Sequence, residues 1–254
     1  MQHRMLVTGL LLLLPLQTGF SQNLDTALLK AIREENLVAV QSLLTKGANA
    51  NAREDGWAAL TLAVQKGNHE ITRALLNAGA KINAKDKYGN TALFWAAGEG
   101  NVKIVPILLG QGAEIEAKNK FGWTSLWIAV NRGHVEVVKT LLDAGARVNE
   151  RDNSGKLLLE EPITGGHFDM VQMFVNKGVN VNARSSKLLA PGRNQWNLPR
   201  KVMQGEEDFK RESDYKIAYS STTALVLAAK SNRPDIISFL LAKGADWQAQ
   251  DSLG

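Results

Sequence analysis

The chain contains no cysteine. No disulfide can hold it, and thiol catalysis, thiolate metal sites and lipid attachment through an N-terminal cysteine are all excluded. The familiar catalytic signatures are missing as well. There is no H-E-x-x-H, no nucleophile elbow and no glycine-rich phosphate loop, since Gly89, Gly98 and Gly100 are too scattered to cradle a phosphate. Nothing here supports an enzyme, and no cofactor or metal site is implied. An excess of one charge is also lacking. The chain carries 30 Lys and Arg against 25 Asp and Glu, a formal net charge of +5. That balance biases encounters toward acidic partners but is too dilute to argue for nucleic acid. Long apolar runs are absent apart from Met5 to Leu16, which is interrupted by Pro15 and falls short of the roughly 20 residues a membrane-spanning helix needs.

That run has a recognisable setting. Gln2-His3-Arg4 precedes it as a short basic start, and Gly19-Phe20-Ser21 follows it with small residues at cleavage spacing. The pattern is that of a signal peptide over residues 1–21. The mature chain is therefore expected to begin near Gln22, to be exported to the periplasm or the extracellular space, and to keep no transmembrane segment.

What the remainder does have is a period. The stretch Asn119 to Glu150 contains Gly122, which permits a tight turn, and Thr124, which is placed to cap a short helix with Leu126, Ala129 and Val130 on its apolar face. Gly133 ends that helix. A second follows with Val135, Val138, Leu141 and Leu142 at three-to-four-residue spacing, and Gly145 closes it in the left-handed conformation. The closing glycine recurs as Gly47, Gly79, Gly112, Gly145 and Gly178, at intervals of 32, 33, 33 and 33 residues. The T-x-L start recurs at Thr26, Thr91, Thr124 and Thr223, with Ala58-Ala59-Leu60 standing in for it once. Two short helices cannot bury their apolar faces alone, so such a unit requires stacked neighbours.

These residues resemble the ankyrin repeat. The resemblance implies an all-α ankyrin-repeat solenoid, with stacked helix-turn-helix hairpins joined by β-hairpin-type loops, in about six repeats with one long insertion. Repeats one to five are expected within residues 22–183, the first starting at Asn23, the second at Arg53, the third at Lys85 and the fifth at Arg151. Repeat six spans residues 218–250, and Asp251 to Gly254 match the start of a further, incomplete repeat. In register, residues 184–217 would put Glu207 and Asp208 where paired leucines belong, and charges cannot be buried unpaired at that cost. The segment is therefore expected to be a polar, basic insertion, mobile and dispensable for folding.

Further expectations attach to single residues. Pro106 lies near the start of a second helix and should kink it mildly. In repeat five Leu157-Leu158-Leu159-Glu160-Glu161-Pro162 replaces T-x-L-x-x-A, which should distort the first helix, and Glu160 with Glu161 should lie on a solvated edge. His69, His134 and His167 are read as a row at one phase of the repeat, where the resemblance implies that they fill and hydrogen-bond the turn between helices.

In similar proteins the hairpin tips and the exposed side of the first helices form a concave contact surface for a partner protein. The corresponding positions are Glu54, Asp55, Trp57, Gln65 and Lys66, then Lys87, Tyr88, Asn90 and Glu99, then Lys120, Phe121, Trp123, Asn131 and Arg132. Trp57, Lys66, Lys87, Tyr88, Asn90, Phe121, Trp123 and Arg132 are the expected partner-binding set, with the four rings among them as anchors. A tryptophan after the turn glycine can instead pack on the neighbouring hairpin, and both alternatives stand at this point. Trp95 and Trp127 are expected to be partly core. The implied function is an exported, monomeric protein-interaction scaffold. The alternative is a binder of an anionic polymer, nucleic acid or membrane surface through the basic insertion.

Overall fold

The computed structural model describes residues 14–189 and 218–250. The chain divides into two compact units, residues 1–147 and 148–254. In the first, α1 (Leu14–Arg33) and α2 (Leu37–Thr45) form the opening pair. A minimal hairpin of β1 (Arg53–Glu54) and β2 (Trp57–Ala58) leads into α3 (Ala59–Gln65) and α4 (His69–Asn77). Then come α5 (Ala92–Gly98) with α6 (Ile104–Gly110), and α7 (Ser125–Asn131) with α8 (Val135–Asp143). The second unit holds α9 (Glu160–Gly165) and α10 (Phe168–Asn176), the antiparallel pair β3 (Ser185–Leu189) and β4 (Ala218–Thr222), and finally α11 (Ala224–Lys230) and α12 (Pro234–Ala242). The fold is an all-α stack of helical hairpins, as the period predicts.

Caps and small residues explain the regular pairs. Thr91 and Thr124 accept hydrogen bonds from the amides of Phe94 and Trp127, at 3.2 and 3.3 Å, and so start α5 and α7. Asn36 and Asn68 do the same for α2 and α4 through Ala39 and Ile71. Ala58, in the threonine place of repeat two, supplies no such bond. Ala63, Ala96 and Ala129 are wholly buried, which lets consecutive first helices approach closely. At Gly98 a β-carbon would lie 3.0 Å from the Ile128 side chain on α7.

A ladder of side chains then fixes each repeat on the next. In the first unit Asn51 accepts from the Lys81 amide at 2.7 Å, Asn83 from the Glu114 amide at 2.9 Å, and Glu116 from the Arg147 amide at 2.8 Å. In the second, Asn149 accepts from the Asn180 amide and donates to the Gly178 carbonyl. Asn182 accepts from the Asp246 amide and donates to the Gly244 carbonyl. That last rung spans 64 and 62 residues of sequence where the others span about one repeat. Repeat six is thus held on repeat five as an immediate neighbour.

Several expectations need correction. The insertion does not begin at 184 as polar chain, because Ser185 to Leu189 pair residue by residue with Ala218 to Thr222. Residues 190–217, where the rest of the expected mobile insertion falls, lie outside the described residues, as do 251–254. Helix α1 runs through the expected cleavage region, and Thr26 lies inside it, so the first T-x-L does not start a helix. Pro106 shortens α6 rather than kinking it. Helices α4 and α8 have nine residues and α6 has seven, because proline cannot donate to the Val102 carbonyl and its ring crowds that turn, leaving Val102 and Lys103 outside the helix.

Repeat five is altered as expected at its first helix but not at its carboxylates. Counting 33 residues on from Ser125 leads to Leu158, yet α9 starts at Glu160. Neither Glu160 nor Glu161 is a solvated edge. Glu160 is only 7% exposed and its carboxylate reaches back to accept from the Leu157 amide at 2.8 Å. The bond ties the first residue of the helix to the chain just before it, and the N-cap position itself, Leu159, has no side-chain cap. Glu161 is ion-paired with Lys156, itself 6% exposed.

The histidines do not form one row either. His134 and His167 share a phase, while His69 falls one residue later and is the first residue of α4. His134 Nε2 is 3.0 Å from the Gly98 carbonyl, on the first helix of the preceding repeat. Asn101, at the same phase, donates to the Val64 carbonyl at 3.0 Å in the same manner. Gly100 makes room for the imidazole, since a β-carbon there would lie 2.7 Å from His134 Nδ1. These contacts run between repeats, and among the described residues no cluster of potential metal ligands occurs.

Candidate protein-binding face

The expected contact residues of repeats two to four all lie in the first unit, on three loops and the ends of three first helices. The loops of repeats three and four are built by one device. Asp86 Oδ1 accepts from the amides of Tyr88 and Asn90 at 2.8 and 2.9 Å, and Asn119 Oδ1 accepts from those of Phe121 and Trp123 at 2.9 and 3.0 Å. A short acceptor folded onto the amides two and four residues ahead is how Asp and Asn make tight turns. Repeat two has Arg53 at this place, which cannot accept, and its loop is the β1–β2 hairpin instead. Asp55 and Gly56 there take φ of 50 and 84, the two-residue left-handed turn favoured by such hairpins.

The turn decides which side chains face outward. Residues two beyond the acceptor stay on the tip, so the Tyr88 and Phe121 rings are half-buried; Trp57, four residues beyond Arg53 on the differently built β1–β2 hairpin, is half-buried too. Residues four beyond it are drawn inward. Asn90 and Trp123 are each 4% exposed, and both are corrections to the expected contact set. Asn90 donates to Asp86 Oδ2 and accepts from Asn119 Nδ2, so its polar groups are already used in joining two loops. Trp123 stacks on Trp127, with centroids 6.4 Å apart and planes at 19°, and packs against Phe121. Trp95 and Trp127 are core outright, at 4% and 1% exposure. Trp95 also donates to Asp86 Oδ2 at 3.0 Å and packs 5.1 Å from Trp57, which backs the outer ring with an inner one.

Lys66, Lys87 and Arg132 are exposed as expected, and so are Lys120 and Asp55; Gln65, Glu99 and Asn131 are half-buried. Glu54 is paired with Arg33 of the opening repeat. The three tips are in direct contact. Lys120 donates from its amide to the Tyr88 carbonyl at 3.0 Å, and a β-carbon on Gly89, which has φ of 82, would be 3.3 Å from the Asn119 backbone. Only glycine fits there. The Lys87 ammonium lies 5.2 Å from the Tyr88 ring centre.

Three exposed cations at the tips were not among the expected residues. Arg53 donates to the Lys85 carbonyl at 2.6 Å and Lys85 to the Lys118 carbonyl at 3.1 Å, each reaching forward to the next loop. The signal for them was available in the 33-residue spacing shared by Lys85 with Lys118 and by Lys87 with Lys120.

Stacked helical hairpins, locked by a periodic side-chain ladder and presenting paired loops, define a repeat scaffold. The pattern described as Ankyrin repeats (3 copies) matches residues 6–86, 28–119 and 93–185, and a single Ankyrin repeat matches residues 221–252. The chain belongs to the ankyrin repeat family. A 2-5A-dependent ribonuclease of Mus musculus is 46% identical over 69 residues, which is 26% of this chain and 9% of that protein. A mitochondrial disaggregase of Homo sapiens is 41% identical over 69 residues, covering 27% and 10%. The ankyrin repeat domain-containing protein SAT10 of Stachybotrys chartarum is 38% identical over 74 residues, covering 29% and 4%. The matches span a tenth or less of each relative, so they bear on the repeats alone.

Proposed function

We propose that the protein is an exported interaction scaffold that binds a partner protein through the loop tips and first-helix ends of repeats two to four. The observation that carries this is the arrangement of Trp57, Tyr88 and Phe121. Three half-buried rings stand on adjoining loops, with exposed Lys87 and Lys120 next to two of them in the chain and exposed Lys66 and Arg132 at the ends of α3 and α7. An apolar centre with a charged rim is the usual anatomy of a protein interface. The loops of repeats three and four are also rigid, each held by its own acceptor and the two joined by the Lys120 amide on the Tyr88 carbonyl, which limits the ordering cost of binding. Asn90 and Trp123 support the loops from beneath and make no contact with the partner.

Capture of partners from the native exported fraction tests this, with Tyr88→Ala and Phe121→Ala as baits beside the wild type. Each substitution is expected to weaken capture by ~2 kcal/mol while leaving the melting transition nearly unchanged. Wild-type capture by both variants would exclude this face.

Export rests on the three-part pattern of residues 1–21. Leu28, Leu29, Ala31 and Ile32, which are buried side chains of α1, lie beyond those residues and would be kept on cleavage. Among the described residues no helix is long and apolar enough to cross a membrane. N-terminal sequencing should find a start near Gln22, and Met1 on the purified native protein would refute export by cleavage.

A further inference from the structure

We propose that the tips of repeats two to four take an acidic segment of the partner protein, with carboxylates on the lysines and an apolar side chain among the rings. The assignment rests on the binding face described above and adds the chemistry of what it binds. Five cations, Arg53, Lys85, Lys87, Lys118 and Lys120, are exposed on the three touching loops. Of the carboxylates there, Asp86 is buried and accepts from two amides, the Asn90 side chain and the Trp95 indole. Glu54 is occupied by Arg33. Asp55 remains exposed at the tips, and on the connection that carries Lys118 and Lys120 Glu114 is exposed with the Asn83 amide group donating to it, while Glu116 is half-buried and accepts from the Arg147 amide.

The tips thus carry a concentrated positive field on a molecule of modest overall charge. Such a field steers acidic partners and selects against basic ones. Two of the cations are also fixed. Arg53 and Lys85 are tied to carbonyls of the next loop, and these neutral acceptors orient the side chains without cancelling their charge. Lys87 and Tyr88 sit side by side, as do Lys120 and Phe121, so each of two consecutive tips offers a cation next to a half-buried ring. That repeated pair suits a segment in which acidic and apolar residues alternate. A uniform polyanion such as nucleic acid fits less well, because it would set phosphates against Asp55 and against Glu99 at the end of α5.

The test uses the full chain and a phage-displayed library of random dodecapeptides. Selected peptides should be rich in Asp and Glu with interspersed apolar residues and poor in Lys and Arg. A chosen peptide should bind at least tenfold more weakly to the Lys87→Glu/Lys120→Glu variant, and similarly when its own Asp and Glu are replaced by Asn and Gln. The Lys103→Glu/Lys139→Glu variant, altered on the second-helix side of the same unit, should bind within about twofold of wild type. Circular dichroism melting of both variants checks the fold, and the neutral Lys87→Gln/Lys120→Gln variant, expected to show an intermediate loss, covers the event that charge reversal unfolds the loops. The proposal is overturned if the library gives no binder above bare support, if the selected peptides are not acidic, if tip reversal leaves binding unchanged, or if a dodecamer of thymidylate binds more tightly than the peptides. Neutral peptides that nevertheless lose binding to Tyr88→Ala would overturn the acidic preference alone and leave the binding face intact.

Discussion

Repeats three and four start their first helices with a threonine hydroxyl, whereas repeat five has no side-chain cap, ties the Leu157 amide to the Glu160 carboxylate, and sets a lysine where its counterparts have asparagine and tryptophan. The loops themselves are alike. Asp152 accepts from the Ser154 and Lys156 amides at 2.9 and 3.0 Å, as Asp86 and Asn119 do in their own loops. What differs is the filling beneath. Asn90 is satisfied by two polar neighbours and Trp123 by ring stacking, while Lys156 needs the opposite charge of Glu161. The comparison teaches that the loop geometry and the ladder define the repeat, and that the inward position four residues past the acceptor accepts amide, aromatic or ionic chemistry provided each is complemented.

The largest test of that view is Trp123→Ala. It should lower stability by about 3–4 kcal/mol in urea unfolding, as loss of a buried aromatic does, and binding per folded molecule should be retained. A loss of binding without destabilisation would return Trp123 to the contact set. Next comes Lys156→Ala, which leaves Glu161 without its cation and should cost about 2–3 kcal/mol. The double replacement Lys156→Met/Glu161→Leu should recover most of that loss, and failure to do so would mean the pair is more than a complemented filling.

Smaller effects separate the two ways of starting a helix. Thr124→Ala should cost about 1 kcal/mol, the usual value of an N-cap. Leu157→Thr should gain under about 0.5 kcal/mol, because the helix starts at Glu160, three residues beyond it, and the Leu157 amide is already bonded to the Glu160 carboxylate. A gain as large as the Thr124 loss would show that a threonine there caps the helix after all.

Much of this was legible in the sequence. The glycine period gave the hairpins, and Thr91, Thr124 and Thr223 marked their helix starts correctly. Buried Asn90 and Trp123 were not legible by residue type, since asparagine reads as surface and tryptophan as an anchor. Their burial follows from the direction of the turn set by Asp86 and Asn119, a three-dimensional consequence of a local hydrogen bond. Glu160 and Glu161 misled for a related reason. Charge suggested solvent, but each has a partner that proximity in sequence did not advertise, the Leu157 amide for one and Lys156 for the other. The shift of His69 from the phase of His134 was readable by counting and matters because only the latter reaches back to the preceding helix.

Asn182 and Arg184 carry a consequence for how the second unit melts. Asn182 bonds to Gly244 and Asp246, and Arg184 donates to the Gln250 carbonyl at 3.0 Å, across 66 residues of sequence. In a one-dimensional array, cooperativity depends on the interfacial energy between spatial neighbours, with each repeat contributing its own term and one coupling to the next. Sequence distance does not enter that coupling. Repeats five and six should therefore unfold in a single cooperative step, and lengthening or trimming the chain between Leu189 and Ala218 should shift its midpoint without splitting it in two.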